Sequence, residues 1–433
     1  MGALRRGARA AACESLQVRY SALQVLYCFS TCALGGFAAI FLGYKGLSNT
    51  LIGIATGASC VLSVLLMPAV STALERWPRL TIPRVLCWFV TMALVLYAAL
   101  AAAPLPSVAL IVLFSLANAL SLAVAPFLAQ LAMSFNRMGM PVNFGLARGL
   151  GSLSYALGSV GLSSMAEAVS PLVLSVAYVC ASGLFLAILA KIPCSSEGDE
   201  GTLAKAPARA SADGREESGD GHGGGAFAEI LRQRVLVMVL VGFMVAFFAI
   251  NCVSVYLIDI VGHLGGNTSM CGIAMFCMAA SELPAMMLTP RLRRRFATGT
   301  LFMVVGVAFL LRNMIVVLAV NVPMVFVGLL FQSMSYGLLT PLLTYYIAEV
   351  CSPRSETLGQ TLLSVATTGV GAMVGTVCGG VLQDAFGLQA MLLFVAVSTI
   401  VAALIFFGAG MCARREEAAR RMSVVGSSSA GRA

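Results

Sequence analysis

SSEGDEGTLAKAPARASADGREESGDGHGGG, residues 195–225, is a polar island in an otherwise apolar chain. Glu197, Asp199, Glu200, Asp213, Glu216, Glu217 and Asp220 stand among Ser, Ala and Gly with no apolar pattern to bury. Such a composition cannot offset the entropy lost on ordering, which predicts a disordered linker over residues 194–227. On either side run long hydrophobic stretches, so the linker divides the chain into two halves of similar length. A cytoplasmic segment (1–19), a first bundle (20–193), a second bundle (228–412) and a cytoplasmic tail (413–433, basic and Ser-rich, expected to be disordered) complete the predicted division.

Composition identifies the solvent. The chain is 59% hydrophobic and 10% charged, with a mean hydropathy of +0.94. A water-soluble domain needs more charge on its surface, so this is a polytopic membrane protein. The net charge of +9 resides in short loops between apolar runs, which topology explains and nucleic acid binding does not. The 13 cysteines lie mostly within apolar runs and form no CxxC pair, so they read as small packing residues. The two histidines, His222 and His263, fall in the linker and in a loop, which excludes histidine-ligated metal chemistry. No GxxxxGK[ST] loop is present, so ATP is not implied, and no cofactor or metal is expected.

Apolar segments long enough to cross a bilayer number twelve, six before the linker (20–43, 49–72, 80–102, 106–134, 143–166, 169–192) and six after it (233–258, 267–289, 298–319, 323–348, 357–383, 387–411). The fold class expected is therefore an all-α polytopic membrane protein of two six-helix bundles. Loop charge fixes the orientation: Arg76, Arg84, Arg137, Arg293, Arg354 and Arg414 all fall on one side, while the other keeps little beyond Lys45. By the positive-inside rule both termini and the linker are cytoplasmic, in a multi-pass protein of the plasma or inner membrane. The first run follows Arg5, Arg6, Arg9 and Arg19 and reads as an uncleaved signal anchor.

The halves also repeat. Gly46-Leu-Ser-Asn-Thr-Leu-Ile-Gly53 opens the second span, and Gly265-Gly-Asn-Thr-Ser-Met-Cys-Gly272 opens the eighth with the same spacing of outer glycines. Each span then reaches a proline, Pro68 or Pro284. Parallel repeats of this kind suggest a transporter that rocks one repeat against the other. Gly53-x-x-x-Gly57, Gly145-x-x-x-Gly149 with Gly151, and Gly371, Gly375 and Gly379 offer small-residue seams, either for permanent packing or for sliding contacts.

Asn143-Phe-Gly-Leu-Ala-Arg148-Gly-Leu-Gly-Ser152, Glu282-Leu-Pro284 and Arg312-Asn313 carry a further signal. On these, from Tyr20 to about Cys412, the chain resembles the major facilitator superfamily, in the branch of lactose permease and the phenylpropionate- and nucleoside-type proton symporters. The superfamily's inner-loop motif survives only as Glu75-Arg76 before Trp77-Pro78.

Ionisable groups inside spans are costly and usually face a cavity or a partner. Glu282, deep in the eighth span, is the candidate for proton coupling, with a structural partnership to a nearby arginine as the plainer reading. Arg312 sits mid-span and needs an acidic or carbonyl partner, for which Glu282 is placed across the eighth and ninth spans. Arg148 enters the fifth span with a fork of donors suited to hydroxyls or a carboxylate, or stands as one more interfacial charge. The resemblance implies that Arg148 contacts solute and that Glu282 and Arg312 belong to the coupling cluster. Asn251, Tyr155, Gln130 and Gln332 are the uncharged candidates for solute contact, each also able to serve as an interhelical hydrogen bond. Gln130 stands where sugar-type members place an acid, and Tyr155 where they place tryptophan. The tenth span offers Gln332, Ser335 and Tyr336 without His or Lys. These departures argue against galactoside recognition.

The function expected is secondary active transport of a small polar or weakly acidic organic solute, as proton symport, by a monomer. An uncoupled facilitator, an exporter, or a non-transporting sensor or scaffold would use the same architecture. A membrane enzyme would need clustered His, Asp or Ser at one interface, which the sequence does not supply.

Overall fold

The structure is a computed structural model that describes residues 2–77, 80–102, 105–138, 140, 142–192, 227 and 229–430. All of the predicted linker (194–227) except Phe227 therefore lies outside the described residues. The helices are α1 (Gly2–Thr31), α2 (Ala38–Tyr44), α3 (Asn49–Arg76), α4 (Ile82–Ala102), α5 (Ser107–Arg137), α6 (Phe144–Ala168) and α7 (Leu172–Leu189) in the first half. The second half holds α8 (Arg234–Val255), α9 (Leu257–His263), α10 (Thr268–Arg295), α11 (Thr298–Val317), α12 (Val322–Leu330), α13 (Leu338–Val350), α14 (Pro353–Ser364), α15 (Ala372–Phe386) and α16 (Leu388–Ala430). The protein is an all-helical, multi-pass integral membrane protein.

Among the described residues ten helices are long and apolar enough to cross a membrane, and the α1–α2 pair, bent by 49°, makes an eleventh. The remaining predicted span is α6, present as a 25-residue helix but diluted by Gly and Ser. Its small residues serve contact. A side chain at Gly151 would meet Cys28 Sγ and the Gln24 carbonyl, and one at Gly158 would meet the Phe29 ring. Ser154 donates to the Val25 carbonyl at 2.7 Å. Polarity here buys backbone proximity to α1, as expected where lipid supplies no hydrophobic drive between helices.

Three spans contain a π-helical turn: Cys32–Gly36 after α1, Ser333–Gly337 between α12 and α13, and Val365–Gly371 between α14 and α15. The tail departs from expectation. Instead of disorder it continues α16 to Ala430. Arg414-Arg-Glu-Glu-Ala-Ala-Arg-Arg421 is rich in helix formers.

The chain forms two compact units. Unit 1 is Met1–Glu217 with Val253–Ala280 and Thr376–Leu388. Its core gathers Tyr20, Leu23, Leu86, Phe127, Phe135 and Phe185. Unit 2 is Ser218–Cys252, Ser281–Gly375 and Gln389–Ala433, around Leu236, Phe243, Phe302, Phe309, Leu342 and Phe406. Dense packing of such side chains, through many weak dispersion contacts, holds each unit.

The repeated motif folds the same way twice. Gly46 and Gly265 take φ of 86° and 77°, a left-handed conformation that favours glycine. Leu47 N donates to the Leu42 carbonyl and Gly266 N to the Val261 carbonyl, ending α2 and α9 alike. Ser48 then caps α3 by accepting from Leu51 N at 3.4 Å, and Asn267 caps α10 by accepting from Met270 N at 3.0 Å.

Candidate functional site

In unit 2, α10 presents Glu282 to the start of the π-helical turn. The Gln332 amide donates from Nε2 to Glu282 Oε1 at 2.9 Å. Gly337, at the far end of that turn, leaves room for this approach. A Cβ there would lie 3.3 Å from the Glu282 Cα and carbonyl oxygen. The widened turn thus sets its backbone against α10, a common use of π-helical insertions at functional positions. Gln332 is buried, and its Oε1 is enclosed without a protein partner.

Arg312, on α11, is fully enclosed at 0% exposure. Its Nη1 donates to Asn313 Oδ1 at 2.6 Å, Asn313 Nδ2 donates to Thr399 Oγ1 at 2.7 Å, and Thr399 donates to the Val395 carbonyl at 2.7 Å. Glu282 lies close enough to Arg312 for their charges to interact. Glu282, Gln332 and Arg312 are therefore gathered by the fold. Asn313 and Thr399, which sequence reasoning did not single out as site residues, hold the arginine. Asn313 adjoins Arg312 in the sequence, but Thr399 sits in an apolar helix with no local signal.

Asn251 is half-buried on α8 and donates to the Phe247 carbonyl of its own helix at 3.0 Å. Beside it, Tyr336 of the π-helical turn packs against Phe243 and Phe247, with centroids 6.3 and 5.9 Å apart. Gly371 and Gly375 press against the backbone of Met244 and Phe248.

In unit 1, Arg148 is exposed near the start of α6. Asn143 caps this helix, accepting from Leu146 N at 2.9 Å, and is itself tied to Gln17 through its backbone N–H at 2.6 Å. Arg148 lies near Tyr20, Tyr27 and Cys28 of α1. Behind it Gln24 donates to Tyr20 Oη at 2.9 Å and Tyr20 to the Leu128 carbonyl at 3.0 Å, which leaves Gln24 Oε1 buried and without a partner. Tyr155 is half-buried, its hydroxyl 2.9 Å from where a Cβ at Gly36 would stand. Gln130 is exposed on α5. Arg148, Tyr155 and Gln130 share this unit.

Chemically, unit 2 offers a carboxylate held by a neutral amide that can donate or accept, with an enclosed arginine in the same unit. Unit 1 offers an accessible guanidinium beside tyrosine and glutamine, an arrangement suited to hydroxyls or an anion. No group of three or more His, Cys, Asp or Glu able to hold a metal ion occurs among the described residues.

A family model described as the MFS_1 like family matches residues 18–395. Maltose permease of Geobacillus stearothermophilus is 25% identical over 312 residues, covering 71% of this chain and 73% of that protein. Among solved structures, the nucleoside transporter NupG is similar at a TM-score of 0.71 and 16% identity, over 92% of this chain and 98% of that chain. A D-xylose-proton symporter is similar at a TM-score of 0.60 and 16% identity, over 91% and 97%. The structural likenesses bear on the fold.

Proposed function

Because the chain belongs to the MFS_1 like family of the major facilitator superfamily, and is thereby a secondary transporter, we propose that it carries a small polar, hydroxyl-bearing organic solute together with a proton, by alternating access. The carrying observation is the 2.9 Å bond from Gln332 to Glu282 in the same unit as the wholly enclosed Arg312.

Glu282 is the proton carrier in this reading. A carboxylate within a span is costly unless paired, and here Gln332 and Arg312 stabilise its charged form. When Glu282 takes up a proton it no longer needs the cation and can itself donate. Gln332 suits both states, since its Nε2 donates to the carboxylate and its unpartnered Oε1 can accept from the acid after the amide turns over. Arg312 keeps its position throughout, held by Asn313 and Thr399.

Solute recognition is assigned to Arg148, with Tyr155 and Gln130 on the same unit, and to Asn251, Gln332 and Glu282. The names of the maltose and nucleoside relatives support a polyhydroxylated solute. Positive-inside loop charge supports both termini facing the cytoplasm.

The test follows external pH in a weakly buffered, de-energised suspension of expressing cells while maltose, xylose and nucleosides are added in turn. Alkalinisation with one solute, abolished by Glu282→Gln, is the expected result. Labelled solute entering at equal rates in both proteins with no pH change overturns the coupling. Absence of entry for every solute class overturns the substrate assignment.

A further inference from the structure

At the end of unit 1 that carries Gly46 and Gly265, two carboxylates perform the same act at equivalent places. Asp384, at the close of α15, accepts from the backbone N–H of Thr50 at 2.7 Å and of Asn49 at 3.2 Å. Glu167, at the close of α6, accepts from the backbone N–H of Ser269 at 2.7 Å and from the Asn267 side-chain amide at 2.7 Å. Thr50 and Ser269 are each the fifth residue of the repeated motif, counting from Gly46 and Gly265. Each acid therefore lies at the N-terminus of the helix opened by that motif, where free N–H groups and the helix dipole favour negative charge.

The correspondence continues into the helices. Gly53 and Gly272 both close the motif, and a Cβ on either would collide with a backbone carbonyl, that of Thr376 and of Ser159 respectively. Thr376 precedes Asp384 by eight residues and Ser159 precedes Glu167 by eight. Each contact thus consists of a glycine on one helix set against a carbonyl of the other, with an acid eight residues further on. Tyr256 reinforces one copy, donating to the Thr376 carbonyl at 2.7 Å, and Ser159 the other, donating to the Gly272 carbonyl at 3.0 Å.

Permanent packing would be expected to bury its polar anchors. Here both acids are exposed, so water can replace their bonds to the helix termini at little cost. The interfaces beneath are close glycine-to-backbone contacts, with the Tyr256 hydroxyl set into one and the Ser163 hydroxyl into the other.

We propose that Glu167 and Asp384 are matched latches that hold this end of unit 1 shut, and that both release when it opens. Resting on the chain being an alternating-access transporter, this assigns the gate residues on one side. Cys271, buried at 3% exposure two residues beyond Ser269, reports on the gate. In membranes containing the full chain, its reaction with a membrane-impermeant maleimide is measured, with Cys271→Ser subtracting other thiols. Glu167→Gln and Asp384→Asn each raise the rate a few-fold, as loss of one cap predicts, and the double variant raises it by about the product of the two. An unchanged rate in the double variant, or an effect confined to one acid, overturns the proposal. Should the double variant not reach the membrane, the pair Asp384→Cys with Thr50→Cys tests the same contact. An oxidant-formed crosslink that slows Cys271 labelling, reversed by reduction, supports the latch, and no crosslink overturns it. No solute enters the measurement, so its outcome is separate from that of the coupling and substrate assignments.

Discussion

Gln332 and Glu282 face each other across 2.9 Å, amide to carboxylate, with the π-helical turn Ser333–Gly337 bringing the first to the second. Replacing Glu282 by Gln keeps size and hydrogen-bonding capacity while removing the charge. Proton-driven accumulation of solute should fall to simple equilibration, while exchange of labelled for unlabelled solute persists. Gln332→Leu should lower both, because it removes the amide that donates to Glu282. Uptake against a gradient, compared with exchange in the same vesicles, separates the two effects.

Arg312 should be among the least replaceable side chains for stability. It is wholly enclosed and its neighbours are arranged around its charge. Arg312→Ala leaves Glu282 without its cation, at a cost of about 3 kcal/mol or more. Asn313→Leu removes the bridge to Thr399 and costs about 1–3 kcal/mol. Thermal unfolding in detergent gives the ranking, with Arg312→Ala lower than Asn313→Leu and Arg312→Lys intermediate.

Gly46 and Gly53 should fail in different ways. Nothing stands within 4 Å of a Cβ at Gly46, but its φ of 86° strains any other residue. Gly46→Ala should therefore cost about 1 kcal/mol in every conformation. Gly53→Ala meets the Thr376 carbonyl only while α3 backs onto it. That variant should speed Cys271 labelling, and Gly46→Ala should not.

Acid should loosen the contact between Glu229 and Ser352. Hydrogen bonds from the Ser352 backbone N–H and then its hydroxyl, at 3.1 and 3.0 Å, hold the Glu229 carboxyl below its ordinary value of 4.5. A depressed carboxyl stabilises the fold above the unfolded value, and that contribution is lost as pH falls through the lower folded value. Hydrogen exchange at the Ser352 amide should accelerate, after correction for its intrinsic pH dependence, only below about pH 4.5. Glu229→Gln should flatten the change.

Much of the fold was legible because a bilayer imposes simple rules. Long apolar runs, basic loops on one side and the motif shared by Gly46–Gly53 and Gly265–Gly272 were readable directly. The helix α6 showed the limit of hydropathy, since Gly151 and Gly158 trade apolar bulk for contact with α1. Within the site, Glu282 and Arg312 stood out as charges in apolar surroundings. Thr399 did not, because a lone threonine in a span resembles any other until its neighbour is known. Glu167 and Asp384 were hidden for another reason: an acid at a helix end looks like ordinary loop charge. Only the contacts show that each sits on a helix terminus distant in sequence.

The π-helical turn at Ser333–Gly337 makes chain length itself a constraint. Such a turn holds one residue more than the α-helix around it, so deleting a single residue there would let the helix close up regularly. The wide turn already absorbs the roughly 100° that one residue adds to an α-helix, so Leu338, Leu342 and Tyr346 of α13 would stay turned into the core of unit 2. What the deletion would remove is the widened backbone that Gly337 sets against Glu282. The extra residue therefore serves the contact with α10, and a protein shortened by one here should keep its core and lose that contact.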